Sequence, residues 1–122
     1  MWFANRTVKY ALEAKVLQSD STGDVKAYAK EITENFLKFR YAPFSSEGGM
    51  LGYLLNGHPG TAFRNIAAAV PCVLSNHPDF SGRHHKISDH DRSILTGKKY
   101  PAKFRCHHLL LQLTQNPVYK RQ

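Results

Sequence analysis

Apolar and polar positions alternate along residues 7–17, TVKYALEAKVL. Val8, Tyr10, Leu12, Ala14 and Val16 share one parity, and Lys9, Ala11, Glu13 and Lys15 fall on the other. This period of two predicts a half-buried strand with the first set turned inward. The turn SDSTGD at 19–24 follows, with Ser21 or Asp24 placed to cap a helix. Over residues 25–40 the period changes to three or four. Val25, Tyr28, Ile32, Phe36 and Phe39 form one apolar stripe, which predicts a helix with a core face. Pro43 and the Gly48-Gly49 pair open a loop. The run MLGYLLNG at 50–57 is apolar and short, and its length leaves strand and helix both open. A second helix is expected to start near Thr61 as N-cap, with Phe63, Ile66, Ala67 and Val70 inward and Pro71 interrupting it.

The last third of the chain has a different texture. HHKISDH at 84–90 is short and polar. KFRCHHLLLQLT at 103–114 places Leu109 and Leu111 on one side and Cys106 and Leu110 on the other. Apolar residues on both sides suit a central strand, and the two segments are expected to pair through the LTGKKYP connection. The expected architecture is α+β: a single domain spanning residues 1–122, with two or three helices on a small sheet. Residues 115–122 read as a basic tail.

A chain of 122 residues fits one domain with a self-sufficient core, and 42% apolar residues favour folding over disorder. No apolar run reaches the length of a membrane span, and the first residues lack the pattern of a signal peptide. Two cysteines, Cys72 and Cys106, make no disulfide framework and read as small buried hydrophobes. A cytoplasmic location away from membranes is the expectation. Charge is unevenly distributed: residues 61–122 hold ten Lys/Arg against three Asp/Glu, and no acidic side chain follows Asp91. Such a field attracts polyanions, nucleic acid first, and Lys98, Lys99, Lys103 and Arg105 are the expected phosphate contacts. A solvated face, or a surface docking on an acidic protein, is the plainer explanation of the same charge.

Seven histidines raise the question of chemistry. No C-x-x-C pair is present, and neighbouring residues on a strand point apart, so Cys106 with His107 and His108 is a poor zinc set. The His90-Asp91 doublet lacks the downstream aspartate that metal phosphohydrolases use. No phosphate-binding glycine loop or nucleophile elbow appears. Neither a metal nor another cofactor is expected. Ser88, His90 and Arg92 survive this sifting, because alternate residues of an extended segment face one way. With His107 or His108 from the neighbouring strand they would form a set for metal-free RNA cleavage: one base, one acid and one cation. The same groups would bind phosphate without chemistry, or simply hydrogen-bond within the fold. His84 and His85, beside Gly82, read as loop surface.

The segments KFRYAPFSSEGGMLGYLLNG, HKISDHDR and HHLLLQL together resemble a group of small prokaryotic proteins found near restriction and other anti-phage genes. The likeness covers about residues 30–113 and rests on the GGMLGY segment at 48–53, the Ser88-x-His90-x-Arg92 triplet and the histidine before the leucine-rich strand at 107–111. It implies an accessory role in a defence-type nucleoprotein complex with a protein partner, and it carries no catalytic site with it.

Overall fold

The structure is a computed structural model that describes residues 11–18, 21–41, 44–80, 84–94, 97–98 and 100–113. Five strands form one mixed sheet: β1 (Leu12–Gln18), β2 (Glu47–Asn56), β3 (Ser75–Asn76), β4 (His85–Asp91) and β5 (Lys103–Gln112), in the order β1-β2-β5-β4-β3. β1, β2 and β5 run parallel; β4 pairs antiparallel with β5, and β3 pairs antiparallel with β4, which returns it to the direction of β5. Helices α1 (Thr22–Lys30) and α2 (Pro59–Ala69) pack on one face and touch each other. The fold is α+β, as the periodicities predict.

Parallel strands need a crossover, and α1 supplies it between β1 and β2. Ser21 caps α1, its Oγ accepting from the Asp24 backbone N–H at 3.2 Å. After Lys30 the helix widens into a π-helical turn, Glu31–Phe36, in which the Leu37 N–H reaches the Ile32 carbonyl. Phe39, in the left-handed region at φ 62°, ends it. The predicted stripe is the core face: Val25, Tyr28, Ile32 and Phe36 are buried, and Phe39 partly so. Full burial of side chains of this size contributes roughly 1.5–3 kcal/mol each. α2 starts earlier than expected. His58 is the cap, accepting at Nδ1 from the Gly60 N–H, and Pro59 takes the first turn, where a missing N–H costs nothing; Thr61 lies inside the helix.

The run at 50–57, apart from Gly57, belongs to a ten-residue strand beginning at Glu47. Its glycines let the helix layer approach: a Cβ on Gly48 would lie 2.7 Å from the Phe36 ring and 2.9 Å from the Phe104 ring. β5 is central and pairs with β4, as expected from the sequence, and the pairing is antiparallel. Only β1 reverses its predicted sides. Leu12 and Val16 are 52% and 55% exposed, whereas Leu17 is fully buried and Lys15 reaches Glu31 at 2.8 Å. The sheet therefore buries one face beneath the helices and leaves the other without a helix among the described residues. The expected tail at 115–122 and the residues before Ala11 lie outside the described residues.

Candidate functional site: histidines on two faces of one sheet

The pairing of β4 with β5 sorts the histidines. Ser88 lies opposite Cys106 and His90 opposite Phe104, so these four share the helix-covered face with His108 and Leu110. His85, Asp89, Arg105 and His107 take the open face.

Beneath the helices, four side chains form one hydrogen-bonded row. Tyr28 Oη lies 2.8 Å from His108 Nδ1, His108 Nε2 lies 2.8 Å from Ser88 Oγ, and Ser88 Oγ lies 2.7 Å from His90 Nε2. Tyr28, Ser88 and His108 are at most 1% exposed. Burial pushes the Tyr28 phenol well up and the His108 imidazole down to about 3, so both are neutral near pH 7. A neutral imidazole has one donor and one acceptor. The Tyr28 hydroxyl, with its proton directed to His108, sets the order: His108 Nε2–H donates to Ser88, and the Ser88 hydroxyl donates to His90 Nε2. No buried side-chain nitrogen or oxygen among the described residues lacks a partner, so the row is a satisfied interior network.

This placement bears on the residues singled out in the sequence. His108 does share a face with His90, but it is sealed from solvent and too weakly basic to exchange protons near neutrality. Burial also lowers His90, with Asp89 and Asp91 opposing the shift. Arg92 points the way its parity predicts and is then consumed by the fold. Its guanidinium carbon lies 4.5 Å from the centres of both the Phe39 and Phe104 rings. Its nitrogens donate to the carbonyls of Ser45 at 2.7 Å and Pro101 at 2.8 Å. At 4% exposure it is a structural cation between two aromatic rings, not a fork presented to phosphate.

The expected phosphate contacts fare unequally. Lys98 is exposed, and Lys99 lies outside the described residues. Lys103 pairs with Asp91 at 2.5 Å, and Arg105 with Asp89 at 2.8 Å. The Arg105 guanidinium holds the Asp89 carboxyl below its ordinary range. Both cations are thus balanced from the neighbouring strand, an outcome set by register. At the end of the sheet where these pairs lie, a hollow of about 490 Å³ is lined by Ser46, Glu47, Asp89, His90, Lys103 and Arg105, with Phe104 at its base.

The open face carries a second row. Glu47 Oε1 accepts from His107 Nε2–H at 2.6 Å, and His107 Nδ1 lies 3.0 Å from His85 Nε2. Because the carboxylate fixes the His107 proton on Nε2, His107 Nδ1 accepts from His85 Nε2–H. Around this row lies a cluster of rings. His77 and Phe80 have centroids 4.9 Å apart, Phe80 and His85 5.1 Å, His77 and His85 5.1 Å, and His85 and His107 5.2 Å. Phe80 and His85 are nearly parallel, at 17°. His107 was among the sequence candidates; His85, His77, Phe80 and Glu47 were not. The pairing of Ile87 with His107 makes His85 a diagonal neighbour of His107, a relationship that only strand register reveals. Among the described residues, no group of three or more His, Cys, Asp or Glu converges as metal ligands, and no helix is long and apolar enough to cross a membrane.

No protein-family model, curated protein or solved structure matches the chain.

Proposed function

We propose that the protein binds single-stranded nucleic acid across the open face of its sheet, with bases stacking on the rings of His77, Phe80 and His85. The observation that carries this reading is the four-ring cluster on a sheet face that no helix covers among the described residues. Its outermost aromatic, Phe80, is 46% exposed. Unpaired bases stack on aromatic and imidazole faces, and such contacts contribute about 1–3 kcal/mol per base. The formal charge of +8 supports attraction to a polyanion. The pairing of Lys103 and Arg105 with aspartates shifts the weight from phosphate contacts to stacking. The resemblance to proteins near anti-phage genes is in keeping with the same role inside a larger nucleoprotein assembly.

Fluorescence anisotropy with short labelled RNA and DNA strands at low salt tests the reading. Binding is expected, and Phe80→Ala should weaken it by roughly 5- to 100-fold. Absence of binding to either strand overturns it, as does undiminished affinity in a folded Phe80→Ala protein.

A further inference from the structure

We infer that the row Glu47–His107–His85 is a general-base assembly that cleaves RNA at the ribose 2′-hydroxyl, with His85 as the catalytic base. The inference rests on the nucleic-acid reading and adds a reaction to it.

The row has the order that base catalysis requires. The Glu47 carboxylate holds the His107 proton on Nε2, at 2.6 Å. His107 Nδ1 then accepts from His85 Nε2–H, at 3.0 Å. Each step fixes the next tautomer, so the lone pair of His85 is left on Nδ1, and no described residue bonds to that atom. Burial, with the neighbouring His107 and His77 rings, lowers His85 from its ordinary value and keeps its imidazole neutral near pH 7. When His85 gains a proton, its charge is met through His107 by a carboxylate. His107 is 9% exposed and anchored on the central strand, so the row is held in place from beneath. His85 and Phe80 form part of the stacking cluster, which brings a bound ribose beside the base.

The chemistry balances without a metal or co-reactant. His85 Nδ1 takes the 2′-hydroxyl proton, the 2′-oxygen forms a bond to the adjacent phosphorus, and the bond from phosphorus to the 5′-oxygen breaks. The imidazolium of His85 returns the proton to that oxygen. The products are a 2′,3′-cyclic phosphate and a 5′-hydroxyl. Arg105 shares the open face two residues from His107. Its Nε and one terminal nitrogen donate to Asp89, so its charge favours the developing phosphorane through the field of the open face and not by contact. His107 and Glu47 are positioning residues, acting through His85. DNA lacks the attacking hydroxyl, so it is a ligand and not a substrate.

The test compares an RNA strand with its all-deoxy counterpart, in excess chelator and with the full chain in saturating excess. Cleavage of the RNA alone is expected, leaving a cyclic phosphate terminus. His85→Phe keeps a ring in the stack and removes the base, and at saturation it should slow cleavage by about 10²–10⁴-fold. Under multiple turnover, Glu47→Gln should lower kcat about tenfold and leave KM near its original value, with an unfolding midpoint and an active-site titration equal to the parent's separating this loss from loss of structure. Binding of the RNA without cleavage overturns this inference and leaves the binding reading intact. Failure to bind either strand overturns both. Cleavage by His85→Phe at the unaltered rate overturns the role of His85.

Discussion

His107 and His108 are adjacent in the chain and lie on opposite faces of the sheet, one bonded to the Glu47 carboxylate and the other to the Tyr28 hydroxyl. The alternation of a strand is enough to separate them. What each touches then decides its chemistry. An acidic partner on a half-open face holds His107 ready to support a cation. A neutral phenol in a sealed core holds His108 as an uncharged link between helix and sheet.

The buried row makes stability depend on pH. The unfolded chain protonates His108 below about 6.5, whereas the folded chain does so only near 3. Between those values the unfolded state binds the extra proton, so stability is complete above 6.5 and falls as pH drops. The slope reaches about 1.4 kcal/mol per pH unit for this one group. His85 and His90 are lowered in the same direction and steepen the fall. Urea midpoints measured from about pH 7.5 to about 5 should show it. His108→Gln, which keeps an acceptor for Tyr28 and a donor for Ser88 but cannot titrate, should flatten the profile. An unchanged slope in that variant would place the dependence elsewhere.

Arg92 gives a second expectation. Lysine has the charge but neither the plane that fits between Phe39 and Phe104 nor the fork that reaches both Ser45 and Pro101. Arg92→Lys should lose about 2–4 kcal/mol of stability, from the forfeited charged hydrogen bonds and ring contacts. Affinity for nucleic acid, measured at a temperature where the variant remains folded, should be nearly unaltered. A variant of full stability and lost binding would return Arg92 to the role of a phosphate contact.

How far the sequence reaches is clearest in β1 and in the histidines. Alternation identifies β1 as a strand but not its inner side, because both of its faces carry apolar and polar residues. Lys15 sits on the helix side, where it pairs with Glu31, because it shares its parity with Leu17, the residue that fills the core, and not with Val16. The stripe of α1, the central place of β5 and its pairing with β4 all follow from local periodicity. The division of His107 from His108 follows in the same way. The bond from Tyr28 to His108, across 80 residues, and the diagonal meeting of His85 with His107 depend on register and on helix placement. A reading confined to neighbours in the chain therefore assigns Tyr28 to the core without its hydrogen bond and His85 to the loop surface.

Close approach at β2 can be tested by comparing two glycines. A methyl group on Gly48 meets two aromatic rings, at 2.7 and 2.9 Å, and stacked rings yield only by moving together. On Gly52 the nearest atom, at 2.6 Å, is the end of the Leu110 side chain, which has other rotamers. Gly48→Ala should cost about 1–3 kcal/mol, the range of overpacked cores, and Gly52→Ala should cost less. Equal losses in denaturant midpoint would contradict this view of the interface between sheet and helix layer.

The aspartates of β4 provide the sharpest handle on binding. Asp89 and Asp91 neutralise Arg105 and Lys103 across the β4–β5 ladder. Exposed pairs of this kind add little to stability, so their removal leaves the fold in place. Asp89→Asn releases Arg105 and Asp91→Asn releases Lys103, each adding one cation for a bound strand. Affinity for single-stranded RNA should rise with each substitution. The slope of log K against log salt should steepen by about 0.7 for each released charge. The unaltered protein, dependent on stacking, should show the shallowest slope of the set. If the double variant binds with the same affinity and slope as the parent, phosphates do not pass beside Lys103 and Arg105, and the strand does not lie across this part of the open face.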